Sequence, residues 1–509
     1  MKRSLCLLLA LLLLGCASEF APLDTAAYPA APVEGDPYVR DASLPLEKRR
    51  YLMERLGLTE DERTWTEPGL SGTFPIHVPD VLAMPVYRLH AMQFSEENLQ
   101  YLAEACFPDG RMTNEMFPDA FSQDELQYMI GRLKEALATY TDEMIKLNPR
   151  LLRQKEEIQE TIDRYTAMLA DAPATIERAP ANVHFMPMDA YGCTSLTHNE
   201  ETILLHQQDC EWLSDVPSPY ICSFLSVTNY YPSSEEIFYV SQEIDQNGET
   251  VIDGHWEGPK DSSILYFISN YGEMYVDETN CGRRIDVLPY LDGDEKPEEC
   301  FLEKTPKEAA EDVKAFLHAA HIPASFGRFD LCTTPGGSLQ SYNVRCNPVV
   351  DNIPVVSVMN RSPLTAPPYG EPHLPVEDET WTYTVLRFIV SGSRIVFVNW
   401  YSPIRAGEQL EADAALLPYA EVEAVAKAAL SGDCPEGIVP LSASLVLRAI
   451  NDPTLLHEGL LRPAWCFVYR PRFADEDVRY TLSVDAVTGE PIDFGTDLCD
   501  LKPSEIPDH

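Results

Sequence analysis

The chain has 509 residues, 45% apolar and 23% charged. That is the balance of a globular protein, with length for about two to four domains. Its formal net charge is −43, from 81 acidic and 38 basic residues. Nucleic acid and anionic headgroups repel such a surface, which excludes a nucleic-acid partner. The acidity fits either a self-repelling soluble surface or attraction for cations and basic peptides.

Residues 1–16, MKRSLCLLLALLLLGC, open the chain. Lys2 and Arg3 form a positive start and Leu5 to Leu14 an apolar run. The run is too short to cross a hydrocarbon core of about 30 Å as a helix. It has the layout of a secretion signal. Leu13-Leu14-Gly15-Cys16 resembles the lipobox of bacterial lipoproteins, which implies a lipid on Cys16 and cleavage just before it. No second long apolar run follows. Residues 17–45 are rich in Ala and Pro and lack periodicity, so a flexible tether is expected.

Met84 to Leu89 reads as a strand. Ser95 then caps a helix that carries Leu99, Leu102 and Ala103 on one face, with Glu96 and Glu97 in its first turn. Ser122 and Glu125 form a capping box ahead of a stripe of Leu126, Ile130, Leu133, Leu137 and Met144. Asn148-Pro149 reads as a new cap with Pro at the first helical position, before Leu151, Ile158, Ile162, Tyr165 and Leu169. These two helices predict a helical hairpin over 122–171 whose stripes bury each other.

From Ala181 to about Tyr290 the pattern changes to short apolar runs between turn signals. The acidic run 292–299 marks a boundary near residue 300. Beyond it one plan occurs twice. Thr305-Pro306-Lys307-Glu308 opens a helix with Ala309, Val313, Phe316 and Leu317 inward. Strands then follow at Phe329–Thr333, Tyr342–Cys346, Ile353–Val358, Trp381–Val390 and Arg394–Tyr401. A second helix runs from about Pro418 to Leu430, before strands at Leu441–Ala449, Ala464–Tyr469 and Tyr480–Val484. Turns at Asp351-Asn352 and Thr488-Gly489 precede Pro-containing runs, Ile353-Pro354-Val355 and Glu490-Pro491-Ile492. Because proline removes a ladder donor, both runs are expected at sheet edges.

The residues 341–355 and 480–492 resemble the hairpins of PepSY-type domains. With the lipoprotein signal and the helix-then-meander units, the chain is similar to uncharacterised clostridial-type, Gram-positive lipoproteins. It also resembles, more distantly, the YycH/YycI class of extracytoplasmic regulators. The resemblance implies non-catalytic modules of one helix on an antiparallel sheet and, in the regulators, binding to a membrane sensor kinase. Those regulators use a transmembrane helix where this chain has a lipidation signal.

The expected fold class is therefore α+β and multi-domain. Segments 1–16 (signal and lipobox), 17–45 (tether) and 46–300 (an N-terminal α/β region with the hairpin) precede PepSY-like units at 301–410 and 411–509. Chemistry is sparse. No HExxH, GxSxG, P-loop or dinucleotide fingerprint occurs. Cys193, His198, His206 and Cys210 are types that bind zinc but lack paired spacing. Asp292, Asp294 and Glu298 are types that bind calcium but lack an EF-hand. Surface histidines, buried cysteines and a solvated acidic loop account for both groups. No catalytic, cofactor or metal residue is singled out, and no cofactor is expected. Tyr230-Tyr231 and Trp400-Tyr401 are read as core or strand packing, with a groove lining as the other use. Of thirteen cysteines, Cys6 and Cys16 belong to the signal. The other eleven cannot all pair in a monomer, and buried thiols with one or two bridges are expected, Cys346 and Cys466 among the buried.

The functional expectation is a non-enzymatic lipoprotein, lipid-anchored at the extracytoplasmic face of the cell membrane through Cys16. It would bind a protein or peptide partner and so regulate a membrane-associated sensor or protease. A cell-surface hydrolase or ligand-capturing protein and a structural envelope protein are the alternatives.

Overall fold

The computed structural model describes residues 47–92, 94–107, 112–113, 120–177, 186–188, 220–229, 236–245, 261–269, 275–277, 280–356, 385–392, 394–401, 403–433, 437–451, 459–472 and 479–496. The helices are α1 (Glu47–Arg55), α2 (Glu96–Cys106), α3 (Gln123–Thr139), α4 (Asp142–Leu147), α5 (Arg150–Met168), α6 (Pro306–Ala319) and α7 (Tyr419–Asp433). The strands of the N-terminal half are β1 (Glu62–Glu67), β2 (Leu70–His77), β3 (Val86–Ala91), β4 (Met112–Thr113), β5 (Met186–Met188), β6 (Tyr220–Asn229), β7 (Glu236–Asp245), β8 (Asp261–Ser269) and β9 (Arg283–Asp286). They continue with β10 (Ala324–Thr333), β11 (Gln340–Val350), β12 (Ile353–Val356), β13 (Val385–Val390), β14 (Ile395–Tyr401) and β15 (Ile404–Glu411). Last come β16 (Ile438–Asn451), β17 (Gly459–Pro471), β18 (Tyr480–Asp485) and β19 (Pro491–Thr496). The chain is α+β, with a large mixed sheet. No helix among the described residues is long and apolar enough to cross a membrane.

The first sheet runs β9–β10–β11–β13–β14–β8–β7–β6, antiparallel throughout, with β4 and β5 pairing on β6. The second is built on the long antiparallel pair β16–β17. One side of β17 is shared by β3 and β18, and β15 and β19 lie beyond them. One side of β16 is shared by β2 and β12, both parallel to it, and β1 lies beyond β2. The tight hairpin β11–β12 carries the chain from one sheet to the other. Asp351 and Asn352 form its turn at φ of 50° and 63°, and Gly489 turns β18 into β19 at φ 74°. Asn and Asp tolerate the left-handed region better than other side chains, so both turns sit where the sequence placed them.

Strand β12 is not an edge. Pro354 pairs with Val349 on one side, while Val355 and Val356 pair with Leu447 and Arg448 on the other. The strand is only four residues long, and its ladder partners change along it. The other Pro-containing run, β19, pairs only with β18 among the described residues.

Local chemistry explains the helix starts. Ser95, Ser122 and Thr305 each accept from the N3 backbone amide, and the N3 side chain answers in all three, Asn98 in the first case. Each cap is worth about 1 kcal/mol. The stripe read through Met144 is interrupted: α3 ends at Thr139, and Thr141 recaps α4 by accepting from the Met144 amide. The next helix starts at Arg150, with Pro149 as its cap residue and no side-chain cap. Leu126, Met129, Ile130 and Leu133 of α3 then meet Leu151, Ile158, Ile162 and Tyr165 of α5 in one core. Val276, Cys281, Cys332 and Leu339 complete it, so the hairpin lies against the β10 end of the first sheet.

A second core fills the space under β16–β18. Leu52 and Leu56 of α1, Tyr419, Val422, Ala426 and Leu430 of α7, and Trp65 and Phe74 of β1–β2 cover Leu445, Trp465, Phe467 and Leu482. On the first sheet, Phe316 of α6 packs edge-on against Phe388 of β13, with centroids 5.2 Å apart.

Candidate functional site

Cys16 lies outside the described residues, as do Cys193, His198, His206, Cys210 and Tyr230-Tyr231. Asp294 ends in an exposed ion pair, Oδ1 to Lys307 Nζ at 3.1 Å. Among the described residues, no group of three or more His, Cys, Asp or Glu is arranged to hold a metal. Trp400 is buried and packs edge-on against Phe94 at 5.6 Å, which is core use. Cys346 and Cys466 are buried on β11 and β17. Burial alone holds the Cys346 thiol well above its usual range.

What the tertiary structure gathers instead is a cluster on β9 and β10. The register pairs Arg284 with Cys332 and Asp286 with Asp330. Just before β9 the Gly282 amide donates to the Thr333 carbonyl at 2.8 Å. A Cβ on Gly282 would stand 2.5 Å from Pro335 Cα, so this close approach admits only glycine without a shift. Cys281 precedes that glycine. Its Sγ donates to the Arg283 carbonyl, two residues further on, at 3.4 Å. Cys332 of β10 belongs to the same buried core. Both cysteines are buried, at 4% and 2% exposure.

The two thiols differ sharply. The neighbouring Cys332 thiol, followed by the Arg284 guanidinium, lowers Cys281 to about 6 despite burial. The same contact, reinforced by burial and by Asp330, drives Cys332 far up. Asp330 lies beyond them in contact with Arg328 Nε. Burial pushes its carboxyl up, and Arg328, Arg479 and Arg284 only partly offset this. Asp286 accepts from Arg479 Nη2 at 2.8 Å, tying the start of β18 to β9. It also accepts from the Leu288 amide at 3.1 Å. The sequence showed these cysteines only as two of eleven. Their sharing of one core depends on the β9–β10 ladder and the close approach at Gly282, and neither leaves a local spacing signal.

Two polar contacts fix the crossover between the sheets. The Tyr87 hydroxyl of β3 donates to the Asp351 carboxylate at the β11–β12 turn. Fully buried Arg448 of β16 donates to the Val356 carbonyl at 3.0 Å and to Ser483 Oγ at 3.3 Å. Both read as structural clamps.

No protein-family model matches the chain, and no curated protein matches its sequence. Among solved structures it is similar to an uncharacterized protein from Eubacterium rectale ATCC 33656. That likeness has 12% identity and a TM-score of 0.31, and covers 60% of this chain and 84% of that one. It is also similar to the C-terminal domain of YpeB from Bacillus megaterium. There the identity is 7% and the TM-score 0.21, over 57% of this chain and 96% of that one.

Proposed function

We propose that this chain is a lipoprotein anchored through a lipid on Cys16 at the outer face of the cytoplasmic membrane, where it binds a protein or peptide partner without catalysing a reaction. The observation that carries the reading is the run from Lys2 to Cys16, with its short apolar core and Gly15-Cys16 ending. A lipid and a loose 17–45 tether restrict the body to partners near the membrane. The folded body supports a binding role through its open strands. Among the described residues β15 pairs only with β3, and β19 only with β18. On that side of each, among the described residues, an added peptide strand would find backbone donors and acceptors. In this reading the hairpins at 341–355 and 480–492 are PepSY-like elements of a regulatory protein.

Metabolic labelling with a palmitate analogue tests the anchor. Label should enter the wild type and be lost from Cys16→Ala, which should leave the membrane fraction. A Cys16→Ala protein still labelled and still membrane-bound would remove the anchor from the reading. Photo-crosslinkers placed along β15 and β19 in intact cells should capture a protein. Failure to capture one, together with a measured hydrolytic activity, would replace binding by catalysis.

A further inference from the structure

We propose that the polar face of the first sheet holds a site for a phosphate group, built on Arg328, Arg345 and Arg387. The register pairs Arg328 of β10 with Arg345 of β11, and Arg345 with Arg387 of β13. Residues paired across a ladder share a face, so the three side chains form one row on three adjacent strands. At about 4.8 Å between strands the row is roughly 10 Å long. Arg284 of β9, opposite Cys332, and Arg479, which donates to Asp286, add two guanidiniums towards β9. On this face of β9, β10, β11 and β13 the carboxylates are Asp286 and Asp330. Five arginines beside two acids are the reverse of the balance in the whole chain, 38 basic to 81 acidic residues. Like charges directly opposite one another repel, so an aligned arginine row is a place prepared for negative charge.

Neighbours hold the row in shape. Arg387 Nη2 donates to Asn343 Oδ1 at 3.1 Å, and its guanidinium lies over the Phe397 ring at 5.7 Å. Asn343 Nδ2 donates in turn to the Val276 carbonyl at 2.9 Å, so segment 275–277 crosses the face beside the row. Arg328 Nε contacts Asp330. A guanidinium carries five N–H donors in a planar fork, so one that a neighbour orients can still bind an oxyanion along another edge. Arg328 is buried, and Arg345 and Arg387 are half-buried, so the row meets solvent on its β11 and β13 side. A carboxylate brings two oxygens and one negative charge, which is little for three guanidiniums. A phosphate group brings three oxygens and a charge of about −1.5 to −2. The occupant is a phosphate group on a soluble molecule. A bilayer is the wrong source, because the arginines are recessed in a sheet face and the surrounding chain, at −43, is repelled by anionic headgroups. The site involves neither Cys16 nor the edges β15 and β19, so it stands whether or not the anchor and partner reading does.

The test is a protection map with inorganic phosphate as the probe. Full-length protein in detergent is treated with phenylglyoxal, which modifies arginine, and the rate at each arginine is read by mass spectrometry. Phosphate should slow the modification of Arg345 and Arg387 several-fold. It should leave Arg153 of α5, whose side chain is 85% exposed, unchanged. Acetate at the same ionic strength should protect less. No protection by phosphate, or equal protection at Arg153, overturns the site. Equal protection by acetate overturns the choice of phosphate. In calorimetry, Arg345→Gln should weaken phosphate binding about tenfold or more, the weight of one charge-assisted hydrogen bond. Arg345→Lys keeps the charge but not the fork, and should recover only part of the loss. Wild-type affinity in Arg345→Gln counts against the row. If that variant fails to fold, the wild-type map still decides. Phosphatidylglycerol vesicles that protect Arg345 and Arg387 where inorganic phosphate does not would replace the soluble ligand by a membrane surface and overturn the proposal.

Discussion

Two carboxylates are buried beside arginines in different parts of the molecule, and their affinities for protons shift in opposite directions. Glu423 of α7 sits under β1 at the second sheet, and Asp330 lies within β10 of the first. Burial pushes both up. At Glu423 the push is overcome, because Arg63 Nε and Nη2 donate at 2.9 and 2.6 Å and Trp65 Nε1 donates at 2.6 Å. Lys427 stands 3.4 Å away. At Asp330 the loss of hydration wins over the arginines around it. The lesson is that an adjacent arginine does not by itself set the direction in which a buried acid shifts. The number of donors aimed at it, weighed against lost hydration, does.

The largest expected effect is on Glu423. Glu423→Ala should cost about 2–3 kcal/mol in urea unfolding, below the value for a fully buried pair because of Arg63's exposure. The side chain of Arg63 is 45% exposed. A loss no greater than that of Asp330→Asn would break the contrast. Next comes Gly282→Ala, which should lower stability by about 2 kcal/mol because backbone of Pro335 blocks the added carbon. If it costs less than Asp330→Asn, charge rather than close packing holds the β9 corner. Trp65→Phe removes one donor to a charged acceptor and should cost about 1.5 kcal/mol in thermal unfolding. It should also raise the Glu423 carboxyl, and a wild-type acid profile would remove Trp65 from the account.

The smallest effect, and the sharpest, is the sign of the pH dependence. Glu423 is depressed in the folded state, so its stabilisation is full above the unfolded value near 4.5 and is lost as pH falls through the folded one. Asp330 is raised, so the folded state keeps a proton that the unfolded chain has released. Its contribution therefore falls as pH rises from about 3.8 through the folded value. Stability curves of Glu423→Gln and Asp330→Asn, each measured against wild type across acid pH, should differ in opposite senses. Curves that differ in the same sense would end the comparison.

Much of the fold was legible locally. The caps at Ser95, Ser122 and Thr305, the stripes of α3 and α5, and the turns at Asp351-Asn352 and Gly489 all carry their signal within a few residues. Strand ends were read short: Leu441–Ala449 is Ile438–Asn451, and Ala464–Tyr469 is Gly459–Pro471. The β1–β2 hairpin and β15 were missed. β1 carries one buried residue, Trp65, among exposed polar ones, and the ladder of β15 with β3 shifts register twice. That Cys281 and Cys332 share one core was not legible at all.

By itself, the sequence determined the acidic balance, the α+β class and the positions of most helices and turns. Each depends on nearest neighbours along the chain or on composition. Tertiary structure alone decided how strands were shared. Strands β1–β3, from near the N-terminus, pair with β15–β17, while β12 links the two sheets instead of ending one. It also decided which two of the cysteines share a core, and which of two buried acids is lowered and which is raised. Those outcomes depend on contacts between residues far apart in the chain, where pairing register and desolvation act, and neither is written in any local pattern.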